Sequence, residues 1–203
     1  MNKIEYNIPE EVERDEYFAQ EWRKMLAGEV YDAGYPPFAE LLKKTRRTLK
    51  RYNELDPFAP ELKDILKGLL GACGDKVNAN QPFRCDYGCN ILVGENFFAN
   101  FNLTILDEAI VTIGHDCFIG PNVSIYTACH PLEAEERNKF VEWAEPVTIG
   151  DNVWLGGNVT ILPGVTIGDN CVIGAGSVVV DDIPSDCLAA GNPARVKKKI
   201  ARK

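Results

Sequence analysis

The chain has 203 residues, 45% of them hydrophobic and 26% charged, with a net charge of −8. That is enough for one core plus a small appendage in an ordinary globular protein, and the charge balance argues against a nucleic-acid surface. The longest nearly uncharged apolar run, CVIGAGSVVV, is far short of the ~20 residues a membrane span needs, so no membrane association is expected.

MNKIEYNIPEEVERDEYF has no apolar h-region, so no secretory signal is expected there. Seven cysteines, odd in number and without paired spacing, suit free thiols and a cytoplasmic location better than a disulfide framework. Cys85 and Cys89 lie four apart, but there is no second pair and the chain has only two histidines. No metal is expected.

Residues 1–72 form an α-helical N-terminal segment in this reading. PEEVERDEYFAQEWRKMLAG reads as one helix, with Pro9 and three glutamates near its start, a stripe through Val12, Tyr17, Phe18, Trp22, Met25 and Leu26, and Gly28 as the C-cap. PPFAELLKKTRRTLKRYNEL places Phe38, Leu41, Leu42, Thr45, Leu49 and Tyr52 on one face and basic residues on the other. PELKDILKGLLGAC carries Leu62, Ile65, Leu66 and Leu69. Such faces need a partner, which the rest of the chain must supply.

From Val93 the period becomes six. Ile113, Ile119 and Ile125 form one run, and Ile149, Leu155, Ile161, Ile167, Ile173 and Val179 another. Four residues after each comes a compact one: Cys117, Val123, Cys129, then Val153, Val159, Val165, Cys171 and Ser177. Turn formers such as IGDN, IGPN and LPGV fall between. An earlier set, Val93, Ala99, Ile105 and Val111, keeps the period and slips by two residues at Thr112. Short strands joined by tight turns around one stacked core explain a period that fits neither a helix nor a hairpin meander.

The rhythm stops at His130. Residues 131–146, PLEAEERNKFVEWAEP, are bracketed by prolines and read as a loop extruded from the coil, where function is commonly grafted. His130 thus sits between a rigid coil and a loop, and a histidine is a base near neutral pH. His115 occupies a turn slot held elsewhere by Pro121, Asp151 or Asp169. The final nine residues, RVKKKIARK, carry six positive charges and no negative one. They form a basic tail, 191–203, that is either a solvated end or a local anion site.

The hexads resemble those of the hexapeptide-repeat acyltransferases. With WRKMLAGEVYD, CDYGCNILVGENFFANFNLTILD, CHPL and AAGNPARV, the resemblance narrows to the maltose/galactoside O-acetyltransferase group. It implies a mostly β fold: a left-handed parallel β-helix over 73–190, with an α-helical N-terminal segment and the loop 131–146 extruded from it. It also implies acetyl-CoA as co-substrate, a sugar hydroxyl as acceptor, and a homotrimer with sites between subunits.

Carried over residue by residue, the family pattern makes His130 the base in a direct-transfer ternary complex. Asn100 contacts acceptor and acetyl group, and Asp32, Asp86 and Glu108 contact the acceptor. Trp154, Gly157, Ala175, Val180, Asp181, Arg195 and Lys198 fall to the cofactor. Several positions depart from the pattern: Glu108 replaces Asp, Asp86 replaces the Ser of some members, and Val180-Asp181 replace a Thr-Lys pair. Leu42 stands where a basic residue is expected. The alternatives are another acceptor (an oligosaccharide, a xenobiotic hydroxyl or a sugar amine), a zinc enzyme of the γ-carbonic-anhydrase type, which needs three histidines per site, and a non-catalytic scaffold.

Overall fold

The computed structural model describes residues 8–201; residues 1–7 of the helical segment and 202–203 of the basic tail lie outside the described residues. The hexads wind into a parallel β-helix with three faces. The front face stacks Val77–Ala79, Phe97–Ala99, Phe118–Ile119, Trp154–Leu155, Val172–Ile173 and Cys187–Ala190. The middle face stacks Phe83–Cys85, Leu103–Leu106, Ser124–Tyr126, Thr160–Ile161 and Val178–Val179. The rear face stacks Ile91–Val93, Val111–Ile113, Val147–Ile149 and Thr166–Ile167.

Each aliphatic of the hexad sits directly under its counterpart one coil away. Ala99 pairs with Ile119, Ile105 with Ile125, and Ile149 with Ile167, and all are buried. Stacking like on like fills the triangular core and pairs every inner strand on both sides, so only the two ends of the coil expose strand edges. The Asn or Asp of each turn takes the left-handed conformation, as at Asn96, Asp116, Asn122, Asn152, Asn158 and Asn170. Their side chains form rungs between coils: Asn96 donates to Asp116 at 2.7 Å and Asn102 to Asn122 at 2.8 Å. Short polar side chains tolerate that backbone better than other L-residues do.

The corner between middle and rear faces breaks the period. Eight residues separate Cys85 from Val93 and Ile105 from Ile113, against six from Ile161 to Ile167. The two-residue slip read at Thr112 therefore lies in the corner 106–110, and 86–90 carries a second one. In the third coil the same corner releases the long loop. Glu145 N donates to Thr127 O at 2.8 Å across its neck. Just outside, Ala128–Cys129 pairs antiparallel with Trp143–Ala144. Cys129, read as a member of the repeat, has already left the coil and is only half-buried.

Helices close the N-terminal end. The helix expected over 9–28 is two, α1 (Glu10–Glu13) and α2 (Glu16–Ala27), because Asp15 leaves the helical conformation and accepts Phe18 N at 3.0 Å as an N-cap. Gly28 ends α2 in the left-handed conformation, as the sequence suggested. Helix α3 (Pro36–Glu54) follows, then α4 (Glu61–Leu69). Asn53 of α3 both donates to Phe83 O and accepts from Phe83 N at 2.9 Å, replacing the strand that the first coil lacks. At the other end the basic tail is no loose end: Arg195–Lys199 adds antiparallel to Cys187–Ala190.

Candidate active site

His115 lies in a turn between coils. Its Nδ1 accepts Glu95 N at 2.9 Å and its own N–H donates to Asp151 at 2.7 Å, between coils.

His130 stands at the neck of the extruded loop, its side chain 50% exposed. Its Nδ1 lies 3.2 Å from the carbonyl of Val141 on the returning limb. A carbonyl can only accept, so Nδ1 carries the proton and the neutral ring presents Nε2 as the basic nitrogen. Glu142 Oε2 is 4.0 Å from that Nε2. The other Glu142 oxygen accepts the hydroxyl of Tyr31, whose backbone also bridges to Glu142. Tyr31 is buried, and burial first, then Glu142, pushes its phenol further up, so it stays a donor.

Of the two irregular corners, 106–110 carries two buried acids, Asp107 and Glu108, while Asp86 of 86–90 is half-buried. Asp107, fully buried, accepts the backbone N–H groups of Asp86, Tyr87 and Gly88 at 2.7–2.9 Å and so shapes the 86–90 corner. Burial lifts its carboxyl to about 7, against the three amides that favour the ionised form. Glu108 is buried, only 8% exposed. Burial, then the neighbouring Asp86, drives its carboxyl well up and favours its neutral form. Thr127 Oγ1 lies 3.4 Å from Glu108. Asp32 is exposed in the loop after α2, its N–H held by the buried Glu21 at 2.8 Å.

Asn100 lies elsewhere, at the front–middle corner. Its Oδ1 accepts Phe101 N at 2.8 Å, which leaves its NH2 unpaired among the described residues. It lines a cleft of about 430 Å3 with Trp154, Gly157 and Ala175 on the outside of the front face. Glycine at 156 is a packing requirement, since a Cβ there would sit 2.6 Å from Ala175 N. At Gly157 the closest atom would be Pro121 O at 3.3 Å, so that residue is freer to serve a ligand. Val180 and Asp181 follow the last middle-face strand, at the middle–rear corner. Asp181 pairs with Arg195 at 2.7 Å, while Lys198 is exposed opposite Leu188 on the tail strand.

The expected residues therefore fall into two sets. Asn100, Trp154, Gly157 and Ala175 share the front face and its corner. His130, Glu108, Asp86, Val180 and Asp181 share the next corner along the middle face, with Asp32 adjoining through Tyr31. A face and its corners separate the sets, on the order of 10–20 Å at about 3.3 Å per residue.

The sequence reading missed Tyr31, Tyr87, Asp107, Thr127 and Glu142. For Asp107 the two-residue slip was an available signal. For Glu142 there was none, because the loop holds five glutamates and only the antiparallel neck selects one.

Among the described residues no group of three or more His, Cys, Asp or Glu side chains could hold a metal, and no helix is long and apolar enough to cross a membrane.

A three-faced parallel coil of hexads with a cleft on one face and a histidine at an extruded loop defines a class, and the comparisons agree on it. The bacterial transferase hexapeptide (six repeats) matches residues 146–181, the hexapeptide repeat of succinyl-transferase 110–127, and the maltose acetyltransferase hexapeptide capping motif 24–74. The crystal structure of a maltose O-acetyltransferase from Clostridium difficile 630 superposes with a TM-score of 0.88 at 48% identity, covering 90% of this chain and 98% of that one. A galactoside acetyltransferase in complex with coenzyme A gives 0.86 at 39%, covering 89% and 91%. The galactoside O-acetyltransferase of Escherichia coli K12 is 40% identical over 87% of this chain and 88% of its own. The chain belongs to the hexapeptide-repeat acetyltransferases with a left-handed parallel β-helix, in the group of the maltose and galactoside enzymes.

Proposed function

We propose that this protein transfers the acetyl group of acetyl-CoA to a hydroxyl of a sugar, with His130 as general base. The observation that carries the reading is the 3.2 Å contact of His130 Nδ1 with Val141 O, which suits a proton on Nδ1 and a basic Nε2 at the loop's neck. In the reaction the acceptor hydroxyl gives its proton to Nε2 as its oxygen attacks the thioester carbonyl. The C–S bond then breaks, and the departing sulfur takes the proton from the imidazolium. A sugar hydroxyl is a weak nucleophile at neutral pH, and a positioned base contributes ~10²–10⁴-fold. The unpaired NH2 of Asn100 is suited to the oxyanion formed at the carbonyl. The coenzyme A complex of the related galactoside acetyltransferase supports acetyl-CoA as the donor.

The site is shared between copies of the chain, in a homotrimer. Acyl and acceptor groups cannot bridge 10–20 Å within one chain, whereas the front–middle corner of one copy laid against the middle–rear corner of another unites the two sets. The cofactor residues divide in the same way as the catalytic ones, which supports one common docking. Exposed Phe118 and Trp154 on the front face give that docking an apolar surface. The basic strand 195–199 takes the nucleotide phosphates, with Arg195 exchanging Asp181 for phosphate. A cytoplasmic location fits seven free thiols.

Coenzyme A release from acetyl-CoA, measured with maltose, glucose, a galactoside or buffer, tests this. Acceptor-dependent release is expected in wild type and in His115→Ala, with kcat lowered ~10²–10⁴-fold in His130→Ala. Equal rates in the two variants, or no acceptor above buffer, would overturn it.

A further inference from the structure

Two hydrogen-bond acceptors, both partly exposed, lie 4.0 Å apart at the loop's neck. Nε2 of His130, with its partner nitrogen committed to Val141, can only accept in the neutral ring. Oε2 of Glu142 lies 4.0 Å away and, as a carboxylate oxygen, can only accept. The gap is too long for a direct bond, and a neutral imidazole has no proton on that side to share. One hydroxyl has one proton and cannot serve both atoms.

Glu142 is not free to turn away. Tyr31 donates to its other oxygen, the Tyr31 and Glu142 backbones bridge antiparallel, and Tyr31 itself is locked in the aromatic cluster under α2 and α3. Glu142 is 19% exposed and His130 50%, so both can be reached from solvent.

We propose that His130 and Glu142 together read a pair of neighbouring hydroxyls on the acceptor. One donates to Nε2 and is acetylated; its neighbour donates to Oε2 of Glu142. Glu142 is then a specificity-determining residue that touches substrate, and Tyr31 a positioning residue acting through it. Adjacent oxygens on a sugar ring lie roughly one hydrogen-bond length apart, which matches two donors meeting two acceptors set slightly wider. This inference rests on the sugar-acetyltransferase reading above. It adds that the acceptor class is a diol and that lone alcohols are poor acceptors.

The test compares a methyl glycoside accepted by wild type with its monodeoxy derivatives, for wild type, Glu142→Gln, Glu142→Ala and Tyr31→Phe, with melting temperatures to confirm folding. In wild type, removal of the acetylated hydroxyl abolishes product. Removal of its neighbour is expected to lower kcat/KM roughly 10- to 100-fold, the effect of losing one hydrogen bond to a charged group. Glu142→Ala is expected to bring the parent glycoside down to that same level and to make the neighbour's removal harmless, while KM for acetyl-CoA stays within about twofold. Tyr31→Phe should show the same convergence in part, which a merely structural role would not produce. If the neighbour's removal costs the same in wild type and both Glu142 variants, or if those variants keep the wild-type rate on the parent, the diol reading is overturned while the sugar reading stands. If wild type acetylates no glycoside, both fall.

Discussion

The front–middle and middle–rear corners of the same coil are built on opposite plans. At the first, the hexad is kept strictly: glycine or a small residue lies over its counterpart, and the cleft beside Asn100 is mostly backbone and flat rings. At the second, three successive coils add residues, two, two and then a whole loop, and the additions carry Asp86, Asp107, Glu108, His130 and Glu142. A regular repeat can offer the same groove on every coil but cannot aim a particular side chain. A side chain that must be aimed individually requires a break in the repeat, and here the breaks fall at a single corner. The cost is a set of buried acids that need dedicated partners.

The largest consequence concerns Asp107. Asp107→Ala would leave the amides of residues 86–88 without their acceptor inside the protein, at about 1–3 kcal/mol for each unsatisfied group. A loss of at least ~3 kcal/mol in urea unfolding, with acetylation lost alongside, is expected; a loss below ~1 kcal/mol would mean that the irregular corner is not held together in this way.

The regular corner predicts a smaller and sharply local effect. Gly156→Ala places a Cβ against the next coil's backbone and should cost about 1–3 kcal/mol. Gly157→Ala, with its nearest atom at 3.3 Å, should cost under about 1 kcal/mol yet raise KM for acetyl-CoA, because it narrows the cleft. Equal stability losses for the two would erase the distinction between packing glycine and ligand-facing glycine.

The last effect is a pH dependence. Burial raises the folded-state pKa of Glu108 above its unfolded value, so its stabilising contribution is complete below the ordinary carboxylate range and is lost as pH rises through the folded value. Glu108→Gln cannot ionise. Between about pH 5 and about pH 9 its melting temperature should fall less than that of wild type, by about 2–4 °C for each kcal/mol of linkage removed. Parallel curves would show that Glu108 is ionised without penalty.

The difference between the corners also explains what was legible in the sequence. Stacked aliphatics at a six-residue interval declare the coil, and the loop of proline and glutamate declares its interruption, because both are local patterns. His130 was legible as the last residue before that interruption. The roles of Asn100, Gly157 and Ala175 came with the family pattern, and the single cleft they line is compatible with them. Glu142 and Tyr31 were out of reach, since they meet only when residues 111 positions apart are joined at the neck of the loop. Asp15 ended a helix that periodicity would have continued, because an aspartate that caps and one that merely sits on a helix look alike in sequence.

The central claim is that the two corners act together across copies of the chain. Co-expression of Asn100→Ala with His130→Ala tests it most directly, because each variant alone lacks one set while a mixed assembly contains sites with both sets intact. The account predicts that each variant is nearly inactive by itself and that the mixed protein regains acceptor-dependent coenzyme A release. No regain, with mixed assemblies demonstrated by two affinity tags, would contradict it and place both sets within one chain.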